Sequence, residues 1–226
     1  MNIYILRHGM TAGNREKRYI GVTDEPLCPE GREALAALGT SRHGGNVYVS
    51  PLIRCLETAK MVLPGAVLVP VLGLKEMDFG LFEAKNWQEM ADFGPYREWV
   101  DGGCEGRCPG GESRAAFEAR VSEAFLDIVS GRFGPAIPGE NRCDGAGEAG
   151  SEGAEMGAKR DKTVVMVAHG GTIMALFDRF SRPHGDYWTW KSAPAEGYAA
   201  RWDGEGLADI RRLTGLQWVR ELDAAQ

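Results

Sequence analysis

The stretch Asn2-Ile3-Tyr4-Ile5-Leu6-Arg7-His8-Gly9 places a short apolar run directly before a charged turn. Residues 163–171, Thr-Val-Val-Met-Val-Ala-His-Gly-Gly, repeat this arrangement and contain the most apolar run in the chain. Each apolar run predicts a buried β-strand, and each histidine follows at the carboxyl end of its strand, where open α/β sheets bind ligands. We therefore expect His8 and His169 to converge on one site.

Strand and helix patterns alternate through the rest of the chain, which predicts an α/β fold with a mostly parallel central sheet and helices on both faces. Ser50 and Pro51 are expected to start a helix, as its cap and its first-turn proline. Further strands are predicted at Asn46–Val49 and Ala66–Val69, with two late strands near an edge at Tyr198–Trp202 and Leu207–Leu213; helices are predicted from Pro29 to about Leu38, from Ser50 to about Leu63, over Glu112–Val129, and after His169 to about Phe180.

The chain has 226 residues, of which 43% are hydrophobic and 26% charged, and this composition predicts one globular domain over residues 1–226. Residues 134–161 are rich in Gly, Ala and Glu and almost free of large apolar side chains. Such a segment cannot offset its own ordering entropy, so it is predicted to be a flexible insertion. The net charge of −6 argues against nucleic acid as the main partner.

No apolar run approaches the roughly 18 residues of a membrane span, and Met1 leads straight into a β-like run rather than a signal peptide. Five cysteines form no disulfide framework, which favours reduced thiols and a cytoplasmic location. Cys104 and Cys108 lack the second close Cys/His pair of a structural zinc site. We expect no metal, no cofactor and no membrane partner; a homo-oligomer is possible but not indicated.

Arginines accompany the two histidines. Arg7 adjoins His8, and Arg54 lies one turn into a predicted helix that starts at a strand end. A guanidinium fork matches phosphoryl oxygens and keeps its charge, so the set is typical of a phosphate clamp. Taken singly, His8 or His169 would be interpreted as a strand-end residue bonded to a carbonyl, and Arg54 as a surface ion pair. The combination favours phosphoryl chemistry.

Five motifs in order resemble the histidine phosphatase superfamily, which includes cofactor-dependent phosphoglycerate mutase: Arg7-His8-Gly9, Ser50-Pro51-x-x-Arg54, Leu74-x-Glu76 with Gly80, Pro109-Gly110-Gly111-Glu112-Ser113, and His169-Gly170-Gly171. The resemblance implies a phosphoglycerate mutase-like fold and a metal-independent phosphatase with a phosphohistidine intermediate. It further implies site residues with these roles: His8 as the nucleophile, Arg7 and Arg54 as phosphate clamps, His169 on the phosphoryl group, Glu76 as proton donor, and Asn14 with Thr11 as phosphate contacts.

Within the superfamily, this chain looks most like the α-ribazole phosphatases of cobamide synthesis, and the likeness lies in residues 19–27 and 76–83. This likeness implies a small phosphorylated metabolite as the partner, with α-ribazole 5′-phosphate as the expected substrate. The chain departs from the family pattern at Met10, Cys28 and Ala84, none of which removes a catalytic group. Tyr19 and Trp87 are candidates for stacking on a substrate ring. Phe79, Phe82 and Trp99 can be interpreted simply as a hydrophobic core under long loops.

Two other functions stay open. A phosphoglycerate mutase would return the phosphoryl group to a second acceptor, but mutases of the family usually carry arginine where this chain has Met77. A non-catalytic phospho-ligand binder would be expected to have lost one of the five catalytic groups. Asp78 is a rival to Glu76 as the acid. The basic loop of Arg15, Lys17 and Arg18 is either a second anion site or a solvated charge run.

Overall fold

The computed structural model describes residues 1–133 and 163–225. In this part of the chain the strands form one six-stranded sheet with the order β3-β2-β4-β1-β5-β6. The strands are β1 (Asn2–Arg7), β2 (Asn46–Val49), β3 (Val67–Pro70), β4 (Thr163–Ala168), β5 (Gly197–Trp202) and β6 (Leu207–Leu213). The helices are α1 (Ala12–Arg15), α2 (Pro29–Leu38), α3 (Ile53–Val62), α4 (Gly94–Asp101), α5 (Arg114–Ser130), α6 (Gly170–Phe180) and α7 (Leu216–Ala224), with short 3₁₀ turns at Leu72–Leu74, Gly80–Phe82 and Tyr187–Trp190.

The predicted strands and the mostly parallel sheet are confirmed, and β4 lies between β2 and β1. Strands β3, β2, β4 and β1 pair in parallel, while β5 and β6 add to the β1 side in antiparallel orientation. Arg7 pairs with Ala168 at the carboxyl ends of β1 and β4. This register places the residues that follow, His8 and His169, side by side.

Helices cover both faces of the sheet, as predicted. Alternate residues of β1 belong to two different hydrophobic clusters, Ile3 and Ile5 to one and Tyr4 and Leu6 to the other. The first cluster contains side chains of α5 and α6, and the second contains side chains of α2, α3 and α7. A sheet buried on both faces explains why β1 and β4 are continuously apolar rather than alternating.

The prediction that Ser50 and Pro51 begin a helix is wrong. Helix α3 begins at Ile53, with Leu52 at the N-cap position and no cap from its own side chain. The side chain of Asp24 takes the role instead, since its Oδ1 accepts from the Ile53 amide at 2.7 Å. Ser50 continues the sheet pairing through its amide, which donates to Val167 O, and its hydroxyl points elsewhere.

The C-terminal helix α7 was not predicted from the sequence. It carries Trp218, which is fully buried and meets the ring of Tyr4 edge to face at a centroid distance of 6.5 Å. The predicted insertion at 134–161 lies outside the described residues. Among the described helices, none combines the length and the apolar character that crossing a membrane requires.

Trp218 tests the contribution of α7 to the second hydrophobic cluster. Trp218→Ala is expected to lower the free energy of unfolding by about 3–5 kcal/mol, because a large buried side chain is removed. Trp87→Ala is the matched control, since Trp87 is 55% exposed, and it should change stability by about 0.5 kcal/mol or less. Urea denaturation measures both; equal effects would show that α7 does not belong to the folded core.

Candidate active site

His8 lies in the turn directly after β1 and is almost completely buried. Its Nδ1 is 2.7 Å from the carbonyl oxygen of Gly9. A carbonyl can only accept, so Nδ1 carries the proton and Nε2 of the neutral ring keeps its lone pair. The backbone of His8 is held on both sides, because its amide donates to Ala168 O and its carbonyl accepts from the Ala195 amide.

The ring of His169 lies at a centroid distance of 5.1 Å from the ring of His8. Arg54 Nε is 3.3 Å from His169 Nδ1, and Ser50 Oγ is 2.7 Å from His169 Nε2. Since a guanidinium only donates, Nδ1 accepts and Nε2 of the neutral ring donates to the serine hydroxyl. Ser50 is a site residue that the sequence analysis assigned to a helix cap; its place in the Ser-Pro-x-x-Arg motif was the available signal.

Arg54 is fully buried. Besides His169, its guanidinium donates to the carbonyl oxygens of Thr23 and Gly21, both at 2.8 Å. These partners are neutral carbonyl groups, and among the described residues no carboxylate forms an ion pair with Arg54. Arg54 and His169 are not among the residues that line the cavity beside His8.

Arg7 lines the cavity next to His8. One Nη atom donates to the carbonyl oxygen of Ser192, while the buried Nε has no hydrogen-bond partner among the described residues. Gly170 allows this arrangement, because a Cβ at that position would lie only 3.2 Å from the central guanidinium carbon. The guanidinium therefore keeps a donor available beside the histidine pair.

Glu76 reaches the same cavity from the loop after β3 and is 8% exposed. Its carboxylate accepts from the amides of Gly171 at 2.8 Å and Met77 at 3.0 Å. The close approach needs glycine, since a Cβ on Gly171 would lie 2.2 Å from a Glu76 oxygen. Burial raises the pKa of Glu76 above its ordinary value, against the opposing effect of these amides and of the nearby arginines.

Both histidines have pKa values well below the usual range. Burial is the largest cause for each ring. The charges of Arg7 and Arg54 act in the same direction on His8, and those of Arg54 and Arg7 on His169. The rings are therefore neutral near pH 7, which is the state in which an imidazole is a nucleophile.

The structure separates the two predicted phosphate contacts. Asn14 lines the cavity, whereas Thr11 is fully buried and caps α1. The Thr11 hydroxyl accepts from the Asn14 amide at 3.2 Å, and Asn14 Oδ1 accepts in return from the Thr11 amide at 3.4 Å. Thr11 thus orients Asn14 instead of facing the cavity.

The cavity beside His8 has a volume of about 370 Å³. Six aromatic residues line it: Tyr19, Phe79, Trp99, Phe117, Tyr187 and Trp188. Trp87 is not among the lining residues and is more than half exposed, so the structure does not bring it to the site. The wall formed by residues 187–192 was missed by the sequence analysis, because its segment carries no family motif.

Most cations at the cavity already have partners. Arg18 pairs with Glu16 and Glu89 at 2.7 Å each, and Arg114 pairs with Glu118 at 2.7 Å. The guanidinium of Arg114 also stacks over the ring of Tyr187 at 3.7 Å, and Lys191 Nζ lies 4.5 Å from the ring of Trp188.

The other predicted alternatives lie away from this cavity. Arg15 pairs with Glu30 on the surface, and Lys17 is exposed. Asp78, the rival acid, lines a different cavity, and its carboxylate accepts from the Gly80 amide at 2.9 Å. Of the two carboxyl groups considered, Glu76 is the one that shares a cavity with His8.

Comparison with known proteins gives matches over most of the chain. The model of the histidine phosphatase superfamily (branch 1) matches residues 3–136. A curated relative from Enterobacter sp. (strain 638), named probable phosphoglycerate mutase GpmB, is 31% identical over 136 residues. That alignment covers 57% of this chain and 63% of the relative, so the chain matches less than two thirds of the relative's length.

Solved structures share the fold over nearly the full length. A phosphoglycerate mutase from Thermus thermophilus superposes with a TM-score of 0.65 at 26% identity, covering 95% of this chain and 99% of that one. The α-ribazole phosphatase from Shigella flexneri gives a TM-score of 0.71 at 20% identity, covering 94% and 96% of the two chains. At that identity, the second likeness concerns the fold alone.

The lowered histidine pKa values predict a loss of stability in acid. Below the ordinary pKa of about 6.5, the unfolded chain binds protons that the buried rings exclude. The free energy of unfolding should therefore fall as the pH drops from 7 to 5, by up to about 1.4 kcal/mol per pH unit for each ring. Glu76 acts with the opposite sign, since its raised pKa favours the folded state at lower pH.

Urea denaturation at pH 5, 6 and 7 measures this slope. His8→Asn should reduce it, because the amide does not titrate. An identical slope in wild type and His8→Asn would contradict the assignment of a neutral buried His8.

Proposed function

Because the chain belongs to the histidine phosphatase superfamily, we propose that it is a phosphomonoester hydrolase that transfers a phosphoryl group to His8 and then to water. The arrangement of His8 carries this proposal. Its Nδ1 is bound to Gly9 O, its pKa is lowered, and it shares one cavity with Arg7 and Glu76. A nucleophile, an anion-binding donor and a carboxyl group then face the same bound ester.

The first step forms a bond between His8 Nε2 and phosphorus and breaks the ester P–O bond. Charge in the transition state spreads over the three equatorial phosphoryl oxygens. We assign Arg7 Nε, which has no partner among the described residues, as the donor to one of them. Arg54 adds a second buried charge behind the ring of His169. Two guanidiniums thus supply the positive charge that metal ions supply in other phosphoryl-transfer sites.

Glu76 serves as the proton donor to the leaving oxygen. Its raised pKa keeps a larger fraction of the carboxyl group protonated than an exposed glutamate would have. In the second step water attacks phosphorus, the bond between phosphorus and His8 Nε2 breaks, and the Glu76 carboxylate takes a proton from the attacking water as inorganic phosphate leaves. General acid–base assistance of this kind contributes typically 10²- to 10⁴-fold to the rate.

His169 acts as a neutral ring in this proposal. Its Nδ1 accepts from Arg54 Nε, and in the free protein its Nε2 donates to Ser50. Nε2 therefore carries the one ring proton that His169 can offer to a phosphoryl oxygen on His8, whose ring centroid is 5.1 Å away. Ser50 orients the ring until the phosphoryl group is bound.

We propose α-ribazole 5′-phosphate as the substrate. The aromatic lining of the cavity supports a flat, neutral leaving group, which stacks on rings such as Tyr19 and Trp188. A phosphoglycerate mutase must hold a second anionic group. Met77 stands beside Glu76, and Arg18 and Arg114 are already paired with carboxylates. Among the described residues this leaves Lys191, over the ring of Trp188, as the lining cation outside the His8 site without a carboxylate partner.

His8→Ala is expected to reduce turnover of p-nitrophenyl phosphate by more than about a thousandfold, because the nucleophile is lost. Wild type quenched into alkali during turnover of a ³²P-labelled ester should carry label on His8, and EDTA should not change its rate. His184→Ala is the control, with an exposed ring. Full activity in His8→Ala, or activity lost in EDTA and restored by a divalent ion, would contradict the mechanism.

Glu76→Gln is expected to slow esters with poor leaving groups by about 10²- to 10⁴-fold and p-nitrophenyl phosphate much less. An activated leaving group hardly needs a proton, so the deficit should rise with leaving-group pKa. Asp78→Asn is the matched control and should show no such trend. The same loss for every ester in the Glu76 variant would assign the acid role to another group.

Hydrolysis of α-ribazole 5′-phosphate should exceed that of 3-phosphoglycerate in kcat/KM, with no mutase activity when 2,3-bisphosphoglycerate is added. The physical reason is the aromatic, charge-compensated lining. Product mixtures are checked for 2-phosphoglycerate. Rapid exchange between 3- and 2-phosphoglycerate would show that the protein is a mutase rather than a hydrolase. Hydrolysis of other esters but not of α-ribazole 5′-phosphate would support the proposed reaction and contradict the proposed substrate.

A further inference from the structure

The cavity wall at residues 187–192 ends in a serine whose backbone is held in place on both sides. Lys191 O accepts from the hydroxyl of Tyr198 and from Arg212, and Ser192 O accepts from a terminal nitrogen of Arg7. The next residues run beside β1, since the Arg7 amide donates to Glu196 O. Ser192 is therefore fixed against the guanidinium of Arg7.

The side chain of Ser192 has no such partner. Ser192 is 5% exposed, it lines the cavity together with His8, and its Oγ has no hydrogen-bond partner in the described protein. Arg7, which donates to the Ser192 carbonyl oxygen through a terminal nitrogen, has a second such atom: its buried Nε also lacks a partner among the described residues. Two adjacent buried polar groups that both border one cavity indicate a ligand that both of them bind.

The chemistry of the two groups defines this ligand. The arginine Nε–H can only donate, and the serine hydroxyl can rotate to donate beside it. Together with the neutral ring of His8, they suit an anion with several acceptor oxygens. A hydroxyl left unsatisfied in a buried position costs free energy in the free protein, and an anion recovers it on binding.

We propose that Ser192 is a phosphoryl-binding residue, whose hydroxyl donates to a non-bridging oxygen of the phosphoryl group next to Arg7. This inference rests on the proposed function for its ligand and adds a contact from outside the five sequence motifs. The effect of the Ser192 hydroxyl on binding can be measured apart from its effect on folding. The hydroxyl stabilises the bound phosphoryl group and does not stabilise the free protein.

The experiment compares Ser192→Ala with wild type in three measurements: the Kd of inorganic phosphate by calorimetry, kcat/KM with p-nitrophenyl phosphate, and the Tm without ligand. Alanine keeps the backbone carbonyl that holds Arg7. Phosphate binding and kcat/KM should each weaken by about 10- to 100-fold, the effect of one hydrogen bond to a charged group. The Tm should stay the same or rise, because an unsatisfied buried hydroxyl is removed.

Ser41→Ala is the matched control with the opposite expectation. Ser41 is equally buried, but its hydroxyl bonds to Asp223 and accepts from the His43 amide, and it does not line the cavity. The Tm should fall, while phosphate binding and kcat/KM stay unchanged.

Unchanged phosphate binding in Ser192→Ala would overturn the proposal, and a lowered Tm with unchanged binding would show a structural hydroxyl instead. Wild type that binds phosphate but hydrolyses no ester would reject the proposed function alone. The phosphate measurement still decides the role of Ser192 in that case.

Discussion

The parallel pairing of β1 with β4 is the constraint on which the site depends. Its register aligns Arg7 with Ala168, so two histidines separated by about 160 residues of sequence leave the sheet as neighbours. Backbone hydrogen bonds with Ala168 of β4 and with Ala195, which precedes β5, then fix the turn that carries His8. A shift of one residue between these strands would send every side chain of β1 to the opposite hydrophobic cluster, so the two cores enforce the register that the site needs.

Burial has opposite effects on the ionisable groups of the site, and both effects favour the chemistry we propose. It lowers the pKa of the two imidazoles and raises the pKa of Glu76, so each group is biased towards its neutral form. The arginines keep their charge, and carbonyl oxygens rather than carboxylates bind Arg54. The site thus carries positive charge that an arriving anion neutralises, at some cost to the stability of the free protein.

The cavity walls come from segments that are far apart along the chain. The Arg54 guanidinium donates to carbonyl oxygens of the loop of residues 20–24. In the same loop, the Asp24 carboxylate accepts from the Ile53 amide in the first turn of α3. In the wall of residues 187–192, the carbonyl oxygen of Ser192 accepts from Arg7. The same arginines therefore position the walls and lie near the proposed phosphoryl site, so a change at either one is expected to disturb both the geometry and the charge.

The sequence by itself determined the strands, the sheet class and the pairing of two strand-end histidines with an arginine, because apolar periodicity and turn residues act over a few neighbours along the chain. The same local pattern could not show which distant group satisfies each polar side chain. Ser50 carries the marks of a helix cap, yet its hydroxyl bonds to His169. Trp87 is aromatic and near the family motifs, yet it points to solvent, while the unremarked segment 187–192 lines the cavity. Such choices depend on which buried groups the packed sheet and helices bring within hydrogen-bonding distance, and only the tertiary structure decides them.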